Sequence, residues 1–398
     1  MRCFLSYARE NKSRADELYI LMRQMGLPVW MDQSPAPYAD SGIPPGVDWD
    51  TFIAQRIADS DVFLPLFSGA KPDPDRYFHK ELAAAHAGYA RGDNPRTVIP
   101  ILIGVDRAPV LDGTADFGKF QWIDLTKLGN GPAVRLIATQ VAPEREVQDI
   151  AVSNADEFLR SLGPNRRVIL SAGDYDITAV AGKIADLPFL ARERVHDGLQ
   201  LIVKDLENLT LTCAAGARPH VYVSPAYAFP LLFRNCSNLT VEGLRIGHFP
   251  EEGSCMGGVI ALHQCRHVRI TNTELYGCGT VGVEMVSSDA IDVEGCLIET
   301  CNTGFATIEK TTNVAIRDTV IRDNRAVDGI VMSEADRITI SRCRFERNVS
   351  WDDDSTGRLF ETNGSPNVVI EDCIFAGNAL QFDLDGEPNV RLRGNQFA

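Results

Sequence analysis

The sequence predicts two folds in one chain, an α/β unit with a parallel sheet covered by helices on both faces, and an all-β solenoid. Short apolar runs alternate with amphipathic segments in the first part of the chain, a pattern typical of parallel strands joined by helices. From residue 208 onward, one strand motif recurs at steps of 22 to 30 residues, which is typical of a solenoid. We therefore predict one domain over residues 1–142 and a second over residues 143–398.

Composition excludes several classes of function. The net charge is −15 and no basic run alternates with aromatic residues, so we expect no binding to nucleic acid. No stretch approaches the roughly 20 apolar residues of a membrane span. The first residues show no charged-then-apolar leader, and we expect a cytoplasmic protein. The ten cysteines form no CxxC pair, so they are interpreted as buried small hydrophobes and not as metal ligands.

The α/β unit is predicted to contain five strands and four helices. The strands are Cys3–Tyr7, Pro28–Met31, Val62–Phe67, Thr97–Ile103 and Phe120–Ile123. The helices are Lys12–Met25, Thr51–Ser60, a segment from Arg76 that Gly92 ends, and Ala133–Gln140. A long loop rich in proline, glycine and serine, Asp32–Gly46, separates the second strand from the second helix.

The best catalytic candidate follows the third predicted strand. Tyr77 and Glu81 are four residues apart at the start of a helix, so both project from one face. Ser6 and Tyr7 stand at the end of the first strand, and the carboxyl ends of parallel strands are where such folds bind ligands. A structural interpretation also stands, in which Glu81 only complements the helix dipole and Tyr77 only packs.

Several motifs in this unit resemble the TIR domain family. They are FLSYAREN, PVWMD, a long loop ending in PG, IADSDVFLPLFS and HKEL, in this order over residues 1–140. The resemblance implies a flavodoxin-like sheet and, as in bacterial relatives, cleavage of NAD+. It makes Glu81 the catalytic glutamate and Tyr77 the residue that meets the nicotinamide ring. Pro44 and Pro45 stand where some relatives carry an acidic residue.

The chemistry of that reaction suits the candidate residues. Breaking the bond between nicotinamide and ribose develops positive charge on the sugar, which a fixed carboxylate stabilises. The catalytic prediction is Glu81, and the predicted substrate-binding residues are Ser6, Tyr7, Asp32, Trp49 and Tyr77. NAD+ enters as the substrate, and we expect no other cofactor and no metal.

The second half repeats one strand unit seven times. Alternating apolar positions define two columns that face inward: Leu239, Val268, Ile291, Val314, Ile338, Val368 and Val390, and two residues later Val241, Ile270, Val293, Ile316, Ile340, Ile370 and Leu392. Cys296, Cys343 and Cys373 share a third column, and Asn324, Asn348 and Asn378 form a predicted asparagine ladder. These columns resemble a right-handed parallel β-helix of the pectate-lyase-like kind, and residues 154–177 resemble its capping helix and first strand.

Three functions stay open at this stage. The first is an NAD+ glycohydrolase that self-associates through its TIR domains, alone or together with the β-helix. An unknown trigger molecule or protein activates it, as in bacterial anti-phage defence. The second is a TIR adaptor without catalysis, which recruits partners through the Asp32–Gly46 loop. The third is a carbohydrate-active β-helix that uses the acidic run Asp352–Asp354 in the Ser350–Thr356 insertion.

Overall fold

The computed structural model describes residues 2–35, 43–68, 77–111, 115–141, 147–183, 189–249, 256–277, 280–350, 357–384 and 386–398. The chain divides into two compact units, residues 1–145 and 146–398. Among the described residues, no helix has the length and apolarity needed to cross a membrane. Two of the sequence-predicted features lie outside the described residues: the middle of the Asp32–Gly46 loop and the acidic run Asp352–Asp354.

The first unit is a parallel sheet with helices on its faces. Its strands are β1 (Cys3–Tyr7), β2 (Val29–Trp30), β3 (Val62–Ser68), β4 (Thr97–Val98), β5 (Ile101–Ile103) and β8 (Ile123–Asp124), and a separate antiparallel pair is β6 (Val110–Leu111) with β7 (Ala115–Asp116). The sheet order is β2-β1-β3-β5-β8, with β4 also beside β3. The helices are α1 (Lys12–Gln24), α2 (Trp49–Ala58), α3 (Tyr77–Arg91), α4 (Leu125–Leu128) and α5 (Asn130–Val141). Helix α1 packs with α5, and α2 packs with α3.

Most of the predicted boundaries lie within three residues of those in the structure, and the differences have local causes. Helix α2 begins two residues before its predicted start because the Asp48 side chain accepts a hydrogen bond from the Thr51 N–H at 2.9 Å, a standard N-cap. The predicted strand Thr97–Ile103 is two short strands, since Pro100 between them has no N–H to donate. The last strand begins at Ile123 because Phe120 closes a 3₁₀ turn.

Over its described residues, the second unit stacks parallel strands into three sheets of ten, nine and eight strands. The first sheet has ten strands: Gln148–Val152, Arg166–Leu170, Glu207–Cys213, Ser237–Glu242, Arg266–Thr271, Asp289–Glu294, Thr312–Arg317, Asp336–Ser341, Val368–Glu371 and Val390–Arg393. The second has nine: Asp174–Asp176, His220–Val223, Arg245–His248, Glu274–Tyr276, Leu297–Glu299, Val320–Arg322, Arg344–Glu346, Ile374–Ala376 and Gln396–Phe397. The third has eight: Leu190–Val195, Gly198–Lys204, Leu231–Arg234, Ile260–His263, Val281–Val286, Gly304–Glu309, Asp328–Ser333 and Arg358–Glu361.

The remaining elements of this unit are small. Two short helices, α6 (Ala155–Ser161) and α7 (Ile177–Ala181), accompany the first coils. One more parallel pair joins Arg325–Ala326 to Val349–Ser350. Strand Leu190–Val195 differs in direction from the stacked strands, because it pairs antiparallel with Gly198–Lys204.

The registers confirm the two predicted apolar columns. Leu239 pairs in register with Val268, and the column continues strand by strand to Val390. Val241 begins the parallel column that ends at Leu392. Nearly all of these side chains are buried up to the last coil, so the core of the unit is a stack of aligned aliphatic layers.

From Ser237–Glu242 to Val368–Glu371, each strand of the first sheet has one left-handed residue at or near its start and another directly after its end. The sequence predicts a left-handed turn two positions after the second apolar column, with Arg342 the exception in residue type. All seven of these residues, Arg342 included, adopt positive φ: Gly243, Asn272, Gly295, Asp318, Arg342, Asp372 and Gly394. The structure adds a second left-handed column that the sequence pattern did not reveal, with Asn313 at φ 57° and Ala290 also at 57°. Asparagine tolerates this conformation but alanine does so poorly, so tertiary pairing overrides local preference at Ala290.

The predicted asparagine ladder is confirmed. The Asn324 side-chain amide donates to Asn348 Oδ1 at 2.9 Å, and the Asn348 amide donates to Asn378 Oδ1 at 2.8 Å. The cysteines also behave as core residues: the Cys296 thiol donates to the Ile270 carbonyl at 3.4 Å, and all the described cysteines are free. Each of these polar groups finds its partner on an adjacent coil, which holds neighbouring coils in register.

Candidate active site

A cleft of about 960 Å³ opens at the carboxyl ends of β1 and β2. Five of the six predicted site residues line it: Tyr7, Asp32, Trp49, Tyr77 and Glu81. The parallel strands and the starts of α2 and α3 bring these residues together, although Tyr7 and Glu81 are 74 positions apart. The sixth residue, Ser6, is 1% exposed and reaches the site only through Glu81.

Glu81 is the most perturbed carboxyl group of the cleft. It is 7% exposed, and the Ser6 hydroxyl donates a hydrogen bond to its Oε2. Burial raises the pKa of Glu81 to about 8, the bond from Ser6 opposes that rise, and the charge of Asp32 adds to it. At neutral pH, Glu81 in the free protein is therefore mostly protonated, and any nearby cation favours its carboxylate form.

Tyr7 and Asp32 form a second pair in the cleft. Burial raises the pKa of Tyr7, and a hydrogen bond to the Asp32 carboxylate raises it further. Asp32 also accepts the backbone N–H of Gln33 at 2.8 Å. The Tyr7 hydroxyl thus stays protonated and donates to a fixed carboxylate, which holds Asp32 in place beside the cleft.

An aromatic pair flanks the same cleft. The Trp49 and Tyr77 ring centroids are 4.0 Å apart, with the ring planes inclined by 45°. Trp49 is 49% exposed, and burial raises the pKa of Tyr77, with the charge of Asp50 adding to the rise. Lys80 Nζ lies 3.6 Å from Asp50 Oδ2, which links the first turns of α2 and α3. Together, the two rings form an aromatic shelf in a cleft that carries polar and apolar side chains.

Two basic residues of this cleft were missed at the sequence level. Arg9 and Lys12 line it where the chain leaves β1 and enters α1. The signal was present in the sequence, because cations beside a helix N-terminus that follows a parallel strand form a common phosphate site. Among the described residues, no group of three or more histidine, cysteine or acidic side chains is arranged to hold a metal ion.

The two units match two known families. Residues 3–137 match the family model of the TIR domain, and residues 230–397 match that of the right handed beta helix region. The first unit is therefore a TIR domain, and the solenoid is a right-handed parallel β-helix, as the sequence predicted.

Three solved structures resemble parts of this chain at low sequence identity. A putative glycosyl hydrolase from Parabacteroides merdae is 14% identical over 40% of this chain and 83% of its own, with a TM-score of 0.28. An alginate lyase from Paenibacillus is 12% identical over 63% of this chain and 99% of its own, with a TM-score of 0.35. PfbA, a surface adhesin of Streptococcus pneumoniae, is 11% identical over 83% of both chains, with a TM-score of 0.38. Likeness at this level carries no functional argument. No curated protein matches the chain.

Proposed function

We propose that the TIR domain cleaves NAD+ and releases nicotinamide, with NAD+ as substrate and no further cofactor. The second product is ADP-ribose when water attacks the ribose carbon, or a cyclic ADP-ribose when a group of the same molecule attacks it. The observation that carries the proposal is the juxtaposition in one cleft of a buried carboxyl group, Glu81, and an aromatic shelf, Trp49 and Tyr77. The shelf suits a planar pyridinium ring, and the carboxylate suits the sugar carbon that turns cationic.

The reaction requires no reactant other than NAD+ and, for hydrolysis, water. The bond between the ribose carbon and the pyridinium nitrogen breaks, and its electron pair neutralises the departing nicotinamide. The sugar is left as an oxocarbenium ion, which a Glu81 carboxylate stabilises. In hydrolysis, water adds to this carbon and loses one proton, for which the carboxylate is an acceptor.

The raised pKa of Glu81 fits a substrate that carries its own positive charge. Without substrate, burial keeps the proton on Glu81. A pyridinium ring on the shelf stabilises the carboxylate form and drives the proton off. The active ionisation state thus forms when the correct cation is bound.

This coupling predicts the pH dependence of turnover. The expected kcat/KM rises about tenfold between pH 7 and pH 9, because a free-enzyme pKa of about 8 controls the carboxylate fraction. The pH profile of kcat is expected to be flatter, and kcat should stay near its maximum to lower pH, because bound substrate lowers the pKa of Glu81. Initial rates of nicotinamide release across this range provide the measurement, and a kcat/KM profile flat from pH 6 to 9 contradicts the coupling.

The remainder of the cleft suits the rest of the dinucleotide. Arg9 and Lys12 stand beside the first turn of α1, where positive side chains and the helix N-terminus favour the pyrophosphate. Lys12 also contacts Asp16, which fixes its position on the helix. We assign the pyrophosphate to Arg9 and Lys12 and the ribose hydroxyls to Asp32.

The proposal extends to regulation. The β-helix senses a trigger or scaffolds oligomers, and association of TIR domains switches the enzyme on, in a role such as anti-phage defence. Turnover per molecule is therefore expected to rise with protein concentration, and nicotinamide release measured from about 0.1 to 100 μM tests this. Constant specific activity across the series contradicts activation by assembly.

The adaptor function remains the second candidate because Val47 and Trp49, just after the long loop, are 44% and 49% exposed. Exposed apolar side chains suit a contact surface as well as a substrate shelf. The same concentration series separates the two candidates. An adaptor associates but releases no nicotinamide at any concentration.

A further inference from the structure

A second, smaller cavity of the TIR domain lies at the opposite ends of the strands from the Glu81 cleft. It occupies about 150 Å³ beside the starts of β1 and β2. Its polar lining residues are Arg2, Arg23, Arg56, Asp59, Ser60 and Trp30. We infer that this cavity binds a small oxyanion, a phosphate group carried as the free ion or as a phosphomonoester.

The charge of the lining is the first argument. Three arginines and a single acidic residue, Asp59, line the cavity in a protein whose net charge is −15. Within the described part of the chain, neither Arg2 nor Arg56 forms an ion pair. Guanidinium groups present paired donors that match the oxygens of phosphate. An anion therefore completes this lining better than a neutral ligand.

The geometry of Arg56 is the second argument. Its guanidinium carbon lies 4.9 Å from the Phe52 ring centroid and 5.9 Å from that of Trp30. Cation–π contact holds the planar group in place without using its N–H donors. The donors are thus preorganised for a ligand that accepts hydrogen bonds.

A structural role accounts for part of the cluster. Arg23 and Arg56 stand in the last turns of α1 and α2, where cations complement the helix dipole. That effect does not account for Arg2, which precedes β1. Trp30 adds a further donor without a partner, since its Nε1 is buried and has no acceptor among the described residues. Arg2, Arg56 and Trp30 thus bring to the lining side-chain donors that form no ion pair or hydrogen bond among the described residues.

A polar cluster on the β-helix provides a contrast. His220 Nδ1 lies 2.9 Å from Asp174 Oδ1 and its Nε2 contacts the Tyr276 hydroxyl, while Arg245 Nε donates to Glu274 Oε1 at 2.7 Å. In that cluster each charged or polar group already has a partner. Such a network stabilises the coils and needs no ligand to satisfy its charges. The arginine cavity, in contrast, contains donors that a bound anion satisfies.

The volume sets the size of the ligand. At roughly 30 Å³ per water, 150 Å³ holds about five waters, which suits one phosphate group and excludes a dinucleotide. The cavity is therefore separate from the NAD+ cleft, and the inference stands whether or not the protein cleaves NAD+.

Thermal unfolding of the full-length chain tests the site. Inorganic phosphate and ribose 5-phosphate are titrated separately against sodium chloride at equal ionic strength. The expected result is a saturable rise in Tm with at least one of the two. The tighter binder identifies the source of the phosphate group.

Variants locate the effect. Arg2→Gln and Arg56→Gln should each weaken the apparent affinity by about tenfold or more, since each removes a charged hydrogen-bond donor. Arg2 is exposed, so its variant remains informative if Arg56→Gln folds poorly. Arg9→Gln together with Lys12→Gln removes the two cations that line the NAD+ cleft and should leave the stabilisation by phosphate intact. Stabilisation no greater than that of chloride, or equal in wild type and Arg2→Gln, overturns the inference.

Discussion

Glu81→Gln should lower nicotinamide release at least a hundredfold while the chain stays folded. Glutamine has the same shape and can still accept the hydrogen bond from Ser6, but it cannot stabilise an adjacent cation as a carboxylate does. The measurement is nicotinamide release by concentrated protein at pH 8. Glu17→Gln is the matched control, because Glu17 pairs with Arg14 and Asn130 outside the cleft.

The same substitution has an expected signature in stability. The folded-state pKa of Glu81 is raised from the ordinary 4.5 to about 8, so the wild type loses stability as pH rises through that window. The glutamine side chain does not titrate, so it avoids this loss. At pH 9 the free energy of unfolding of the variant should exceed that of wild type by a few kcal/mol, because a pKa difference of one unit corresponds to about 1.4 kcal/mol. If Glu81→Gln retains activity, the catalytic site lies elsewhere. A melting curve distinguishes a folded, inactive variant from one that is inactive because it is unfolded.

Asn348→Ala should destabilise the β-helix by about 2–4 kcal/mol. Asn348 is fully buried at the centre of the ladder and bonds to Asn324, Asn378 and the Ile321 carbonyl. Alanine leaves these partners unsatisfied inside the coil and opens a small cavity. Chemical unfolding of the second unit, followed by circular dichroism, measures the loss.

A second asparagine provides the comparison for this effect. Asn389 is exposed on the last coil, so Asn389→Ala should change stability by less than about 0.5 kcal/mol. If both variants lose the same free energy of unfolding, the hydrogen bonds of the ladder do not stabilise the β-helix.

The sequence was most informative where periodicity is strict. The apolar and cysteine columns repeat at fixed offsets within each unit. The apolar columns coincide with register pairs of the solenoid, and the ladder asparagines bond from coil to coil. The TIR motifs likewise located β1, β3 and α3. Local patterns are enough for these elements because each repeats or follows short-range rules of strand and helix formation.

Long-range properties of the site could not be predicted in this way. The pKa of Glu81 depends on burial, created when α3 packs on β1, and on Ser6, 75 positions away. The sequence placed Ser6 among substrate contacts, whereas in the structure its hydroxyl bonds Glu81 and the residue is almost wholly buried. The cavity at Arg2, Arg23 and Arg56 also arises only when three separate segments converge.

Proton release on ligand binding tests the central claim most directly. The ligand is carbocyclic NAD+, in which a methylene replaces the ribose ring oxygen, so that binding proceeds without the oxocarbenium chemistry. Calorimetry in buffers of different ionisation enthalpy at pH 7 should show close to one proton released per bound molecule in wild type and none in Glu81→Gln. Binding with no proton release in wild type, or equal release in both proteins, contradicts a carboxyl group at Glu81 that ionises to meet a cationic substrate.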